Sequence, residues 1–375
     1  TSDYDNGKFI STWKTNRPVR YATFSMGNFR ELKIQDERIP EVRVWQFHET
    51  KAGENIRKVG KHVANSLLFY ENLYGKAPLK TLHVAESPFA HGEAFPGMIH
   101  LTTNVFTGYQ HGWNELFIGH EIAHLWWGIG VDYKTYRDRW LAEAFAEYSG
   151  LWYMQVSLND MNLFFDILKA WRDQIVDDKK YHIDEVKKYQ AGPIWMGSRT
   201  FQANDADSFE LVIYKKGAWV LHMLRNLMLD LETLEETRFQ NMMKDYYATF
   251  RGQKATTEDF RHTVEKHIGI DMSWFFKQWV YDTQIPDYHY AYEVRQTKEM
   301  GYKVTCKITQ KNVAEDFKMY IPLQIDFGNN QYIRMRILVE GRETVVTLPT
   351  LPLKPKHIEF NYLMSVLCQE QEVVF

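Results

Sequence analysis

Apolar positions recur at helical spacing from Glu54 to Tyr74, where Ile56, Val59, Val63, Leu67, Tyr70 and Leu73 fall on one face. Gly75 followed by Pro78 stops that run. Leu79 to Val84 and Met98 to Thr103 read as strands on either side of a Gly/Pro-punctuated passage, His91 to Gly97. Helical periodicity then dominates from Asn114 to Asp282, in segments near 114–128, 139–156, 160–176, 209–229, 235–250, 257–268 and 272–281. After Ile285-Pro286 the texture changes to short alternating runs. Tyr302 to Thr309 puts Val304, Cys306 and Ile308 on one face, and Gly328-Asn329-Asn330 makes a turn before Tyr332 to Val339. The pattern predicts a mostly helical body with a small sheet, followed by an antiparallel β-sandwich. The stretch from Arg20 to Phe29 alternates loosely and reads as one or two strands, too few for a sheet of their own.

The 375 residues, 45% hydrophobic and 25% charged, exclude disorder, collagen and coiled coil, and allow two or three domains with real cores. The boundaries fall at 1–30, a torn end of strands; 31–285, the helical body; and 286–375, the sandwich. A formal charge of -3 supplies no basic field, so no nucleic-acid partner is expected. Cys306 and Cys368 are too few for a disulfide scaffold and fit either redox compartment; Cys306, on an apolar strand face, reads as a buried thiol. No run of 18 apolar residues occurs, and the chain opens on Thr1 without a leader, as a fragment or mature form would.

The informative chemistry lies in GHEIAHLWWG, Gly119 to Gly128, and RWLAEAFAEY, Arg139 to Tyr148. On a helix His120 and His124 stand one turn apart on one face, so both imidazoles can reach a single cation, with Glu121 beside them. Hydrolytic zinc takes three protein ligands and keeps one position for water. Glu143 is the candidate third ligand: positions 125–142, eighteen residues, suffice to end one helix near Gly128 or Gly130, turn, and deliver it from the next. An amphipathic helix could carry two histidines by chance. Here the surroundings are apolar (Leu116, Ile118, Ile122, Leu125, Trp126), where unsatisfied imidazoles would be costly. Glu121, next to the ion, is the natural general base and then acid. Glu147, one turn after Glu143, reads either as the hydrogen-bond partner of a ligand histidine or as an exposed helix carboxylate. His91, His100 and His111 have no spacing that joins them in a second centre and read as loop or strand packing.

This pattern resembles the M1 family of zinc aminopeptidases, gluzincins with a thermolysin-like catalytic domain. The resemblance is carried by HEIAHLWWG at 120–128, the eighteen-residue gap, WLAEAFA at 140–146 and YKKGAWVL at 214–221. It implies an α+β chain, one Zn²⁺ per chain, a peptide substrate and release of N-terminal residues. Tyr214 matches the family tyrosine that stabilises the oxyanion; taken alone it would be a packing tyrosine. The family's N-terminal β-domain is mostly missing before residue 30, so a larger parent chain is implied, membrane attachment of that parent is open, and an extracytoplasmic or membrane-associated parent is favoured over a cytoplasmic one. Oligomeric state is not legible.

Three departures qualify the resemblance. The family's Gly-x-Met-Glu-Asn segment, whose glutamate holds the substrate's α-amine, corresponds to HGEAFPGMI at 91–99. With Pro96-Gly97 marking the register, Ala94 takes the glutamate position, and Glu93, with Gly97 nearby, becomes the candidate substrate-binding group. On a strand a one-residue shift turns the side chain to the other face. Ala142 and Ala144 stand where Asn and Gly are usual. Arg199, between the zinc and tyrosine helices, could reach a substrate carboxylate or carbonyl, or be a structural arginine. Two rivals therefore stand beside aminopeptidase activity: a zinc endopeptidase or other hydrolase lacking the amine anchor, and a catalytically weak binding module.

Overall fold

The computed structural model describes residues 2–12, 14, 18–19, 21–48, 55–176, 192–199, 206–298 and 301–375. Five strands form one mixed sheet: β1 (Phe29–Ile34), β2 (Glu41–Phe47), β3 (Thr81–Ser87), β4 (Glu93–Phe95) and β5 (Met98–Thr102), in the spatial order β1-β2-β3-β5-β4. β2, β3 and β5 run parallel, while β1 and β4 are antiparallel edges. Val42, Val44, Leu82, Val84, Ile99 and Leu101 are solvent-free on one face and join a single apolar core with helix α1 (Asn55–Leu73). Full burial of each such side chain contributes on the order of 1.5–3 kcal/mol. The stripe read from the sequence, Val59, Val63, Leu67 and Tyr70, is the buried face of α1.

Ahead of this sheet the loosely alternating segment forms no strand over 21–27; the chain's first strands are the hairpin Ser2–Asp5 with Lys8–Ser11. Side chains hold the segment in place of a ladder: the Thr23 and Ser25 hydroxyls lie 3.0 and 3.4 Å from the two ring nitrogens of His100.

Two buried helices, α2 (Trp113–Ala123) and α3 (Trp140–Leu158), cross in backbone contact. A β-carbon on Gly150 would stand 2.5 Å from the Leu116 carbonyl and 2.9 Å from the His120 amide. Bare glycine is what lets these helices approach closely enough to share one site.

The C-terminal region contains β6 (Asp287–Gln296), β7 (Tyr302–Lys311), β8 (Lys318–Gly328), β9 (Gln331–Glu340), β10 (Glu343–Thr347), β11 (His357–Phe360) and β12 (Gln369–Glu372). They make two sheets, ordered β10-β7-β6-β12 and β9-β8-β11. The expectation of purely antiparallel strands fails at β12, which pairs parallel to β6. No hairpin joins it to β11; the chain turns through Asn361, in the left-handed region, before reaching that edge. Val304, Cys306 and Ile308 are buried as the alternation requires, and both cysteines are free.

α4 (Gly217–Met228) carries His222, whose Nδ1 lies 3.1 Å from the Tyr148 hydroxyl and Nε2 3.2 Å from Asn226 Nδ2. Burial, with the Arg225 charge beside it, drops the imidazole to about 3, whereas an unfolded histidine titrates near ~6.5. Between those values the unfolded chain binds a proton that the folded one refuses, so stability rises with pH across the window and is lost on acidification. A His222→Gln variant should therefore lose less melting temperature than the parent between pH 7 and pH 5. Equal losses would contradict this.

Candidate metal centre

α2 ends earlier than periodicity suggests, at Ala123. His124 occupies the C-cap in right-handed helical conformation, so it keeps the one-turn spacing to His120. The chain then folds back through Gly128 (φ 105°) and a short 3₁₀ turn, Tyr136–Asp138. Asp138 Oδ1 accepts from the Thr257 amide at 2.8 Å and fixes where α3 starts, one turn before Glu143. His120 Nε2 and His124 Nε2 lie 3.1 Å apart, and Glu143 Oε2 is 3.5 Å from His124 Nε2. These three donors form the one such cluster found among the described residues.

The outer ring nitrogens are committed elsewhere. His120 Nδ1 is 2.7 Å from Glu147 Oε2, and His124 Nδ1 is 3.0 Å from the Trp127 carbonyl. Both partners accept, so each Nδ1 carries a proton and each Nε2 points inward, placed to give its lone pair to an ion. At 3.1 Å the two Nε2 atoms need a cation between them, either a proton held by His120 or a metal ion that takes its place. Metal–nitrogen bonds of about 2.0–2.1 Å around a tetrahedral ion set two nitrogens about 3.3 Å apart. The residues present therefore fit a divalent metal. Glu147 is hydrogen-bonded to His120 and mostly buried, not an exposed helix carboxylate.

The protein's own charges tune the cluster. Burial disfavours the charged form of His120, but Glu147, Glu121 and Glu143 outweigh it and push the imidazole up to about 9. Burial holds His124 below its ordinary value despite Glu143. Glu143 is driven up by burial and more strongly down by His124 and Arg139, and ends below the usual carboxylate range. Glu121 is raised to about 7 by burial, with His120 opposing and Glu143, Glu147 and Glu93 adding.

An open cleft of about 2760 Å³ runs over these residues. Glu121 is only 5% exposed and packs against Gly92, where a β-carbon would come within 2.3 Å of its Oε1. Tyr214 sits in a π-helical segment, Glu210–Lys216, inserted before α4. Its ring lies parallel to that of His120 (4°, centroids 5.7 Å apart), and its phenol is close enough to Glu143 to feel the carboxylate's charge. Burial and the Glu143 charge hold that phenol well above its ordinary pKa.

Glu93 and Gly97 both line the cleft, Gly97 at the φ 84° turn between β4 and β5. Glu93 pairs across from His100 and Ala94 from buried Ile99, so the one-residue shift does turn the carboxylate away from the core-facing side. Its side chain is 56% exposed, 3.7 Å from His91. Arg199 is exposed over the Tyr136 ring and does not line the cleft. Arg139 and Arg251 do, and Arg139 donates to Glu143. The sequence reading missed it, although the i,i+4 spacing Arg139/Glu143 is a legible pair. The Trp127 carbonyl carried no sequence signal at all.

Three donors converging at the floor of an open cleft, with Glu121 beside them and outside the triad, define a metallohydrolase centre. Residues 97–279, just under half of the chain, match the family model for the peptidase family M1 domain, and the chain resembles known aminopeptidases. It is 23% identical over 290 residues to a leucyl aminopeptidase of Saccharolobus solfataricus, covering 74% of this chain and 34% of that protein. It is 27% identical to aminopeptidase N of Bos taurus (53% and 19% covered) and 25% identical to glutamyl aminopeptidase of the same species (53% and 18%). The chain spans about a third or less of the length of these relatives.

Proposed function

We propose that this chain is the catalytic part of a zinc-dependent aminopeptidase that releases N-terminal residues from peptides. In this reading residues 31–285 are a thermolysin-like, gluzincin catalytic domain and 286–375 a β-sandwich, within a longer, extracytoplasmic or membrane-associated parent. The observation that carries it is the convergence of His120, His124, Glu143, Glu121 and Tyr214 on one cleft.

His120, His124 and Glu143 would hold one zinc per chain, which would supply Lewis acidity toward water and the scissile carbonyl. Glu121 takes the proton from the attacking water and passes it to the leaving amine. Tyr214 gives its hydroxyl hydrogen bond to the oxygen on which charge develops. Glu147 and the Trp127 carbonyl keep the two imidazoles in the ligating tautomer.

An N-terminal ammonium requires an uncommitted anion. Among the cleft carboxylates, Glu143 pairs with Arg139, Glu147 with His120, Asp132 with Lys254 and Glu210 with Lys215. Glu121 is the base, which leaves Glu93, whose one ion-pair contact is the exposed His91 at 3.7 Å, to hold the amine. The placement of Ala94 on the core-facing side supports a second reading, an enzyme that ignores the amine and cuts internal bonds. Kinetics on one peptide with a free and with an acetylated N-terminus separates them. The free form should be strongly preferred, and Glu93→Ala should erase the preference by raising KM for the free form alone. Equal cleavage of both peptides by the parent would overturn the aminopeptidase reading.

A further inference from the structure

Arg139 is the cationic side chain closest to the metal centre that the mechanism does not use. Its Nε and Nη2 each lie 3.2 Å from Glu143 Oε1, while the other oxygen, Oε2, faces His124 Nε2. The backbone ties the same two residues, the Glu143 amide donating to the Arg139 carbonyl at 3.3 Å. The guanidinium is itself placed, its carbon 5.0 Å from the Phe209 ring centroid and its side chain 35% exposed on the cleft wall.

We propose that Arg139 is a positioning residue that restricts Glu143 to a single metal-donating oxygen. The inference rests on the metal-centre reading above. A carboxylate can offer a metal one oxygen or two, and a second oxygen would fill the position a hydrolytic site keeps for water and substrate. Two charge-assisted donors on Oε1 remove it from that competition and leave Oε2 as the donor. Arg139 supplies both side-chain hydrogen bonds to Glu143, and neither is needed by the substrate during turnover, so it can hold the carboxylate throughout. Its cation also offsets part of the negative charge of Glu121, Glu143 and Glu147.

Coordination number is readable when Co²⁺ replaces the native ion, because four-coordinate Co²⁺ absorbs visible light several times more strongly than five-coordinate Co²⁺. The parent should give an intense band. R139M, which keeps the apolar stem and loses every donor, should lose intensity as Glu143 becomes bidentate, and R139K, which keeps the charge but not the fork, should fall between. Parent-like spectra in both variants would overturn the proposal while leaving the metal site standing. If R139M does not fold, the R139K spectrum decides alone. A parent that takes up no Co²⁺ would overturn the proposal together with the metal-centre reading beneath it.

Discussion

Replacing Glu121 by glutamine is expected to lower peptide turnover by about 10²–10⁴-fold, the usual worth of a positioned acid–base group, with bound metal unchanged. The two halves of that expectation are separable because Glu121 stands outside the donor cluster of His120, His124 and Glu143. Glutamine matches the shape that packs against Gly92 but cannot accept a proton from water. A carboxylate needed only for packing would leave turnover intact, so unchanged kcat in a zinc-loaded E121Q protein would remove Glu121 from the mechanism.

Tyr214→Phe is the second large effect. The ring stacks on His120 and meets Phe209 edge-on, and phenylalanine preserves both contacts. Only the hydroxyl is lost, and with it the donor that meets the developing charge. Removal of one such donor typically lowers kcat by about 10²–10³-fold. Because the hydrogen bond is made in the transition state rather than to bound substrate, KM should change little. A packing tyrosine would behave oppositely, shifting melting temperature and sparing kcat. The π-helical insertion at Glu210–Lys216 accounts for how the phenol reaches over His120.

Local chemistry in this chain was more legible than its placement. Two histidines one turn apart and a glutamate on the next helix are set by helical geometry, and they meet where the spacing requires. The apolar stripe of α1 and the alternation of β7 reported their buried faces for the same reason, a fixed period against a fixed core. Three features were not legible. The end of α2 at Ala123 depends on how Trp126 and Trp127 pack and on the return through Gly128, not on any stop signal before His124. The parallel pairing of β12 is a long-range choice of edge. Arg139, not Arg199, lines the cleft because Arg199 instead lies over the Tyr136 ring, an event of tertiary packing. Glu93 lies between these cases. Strand alternation dictated its face once β4 formed, but a three-residue edge strand in a Gly/Pro passage has little local signature.

The central claim is that His120, His124 and Glu143 grip one divalent ion. Zinc content after equilibrium dialysis, measured for the parent beside His124→Ala at matched folded fraction, tests it most directly. The expected result is one zinc per parent chain and a sharply weakened affinity in the variant. A parent that holds no zinc, or a variant that holds it as tightly, would contradict the account.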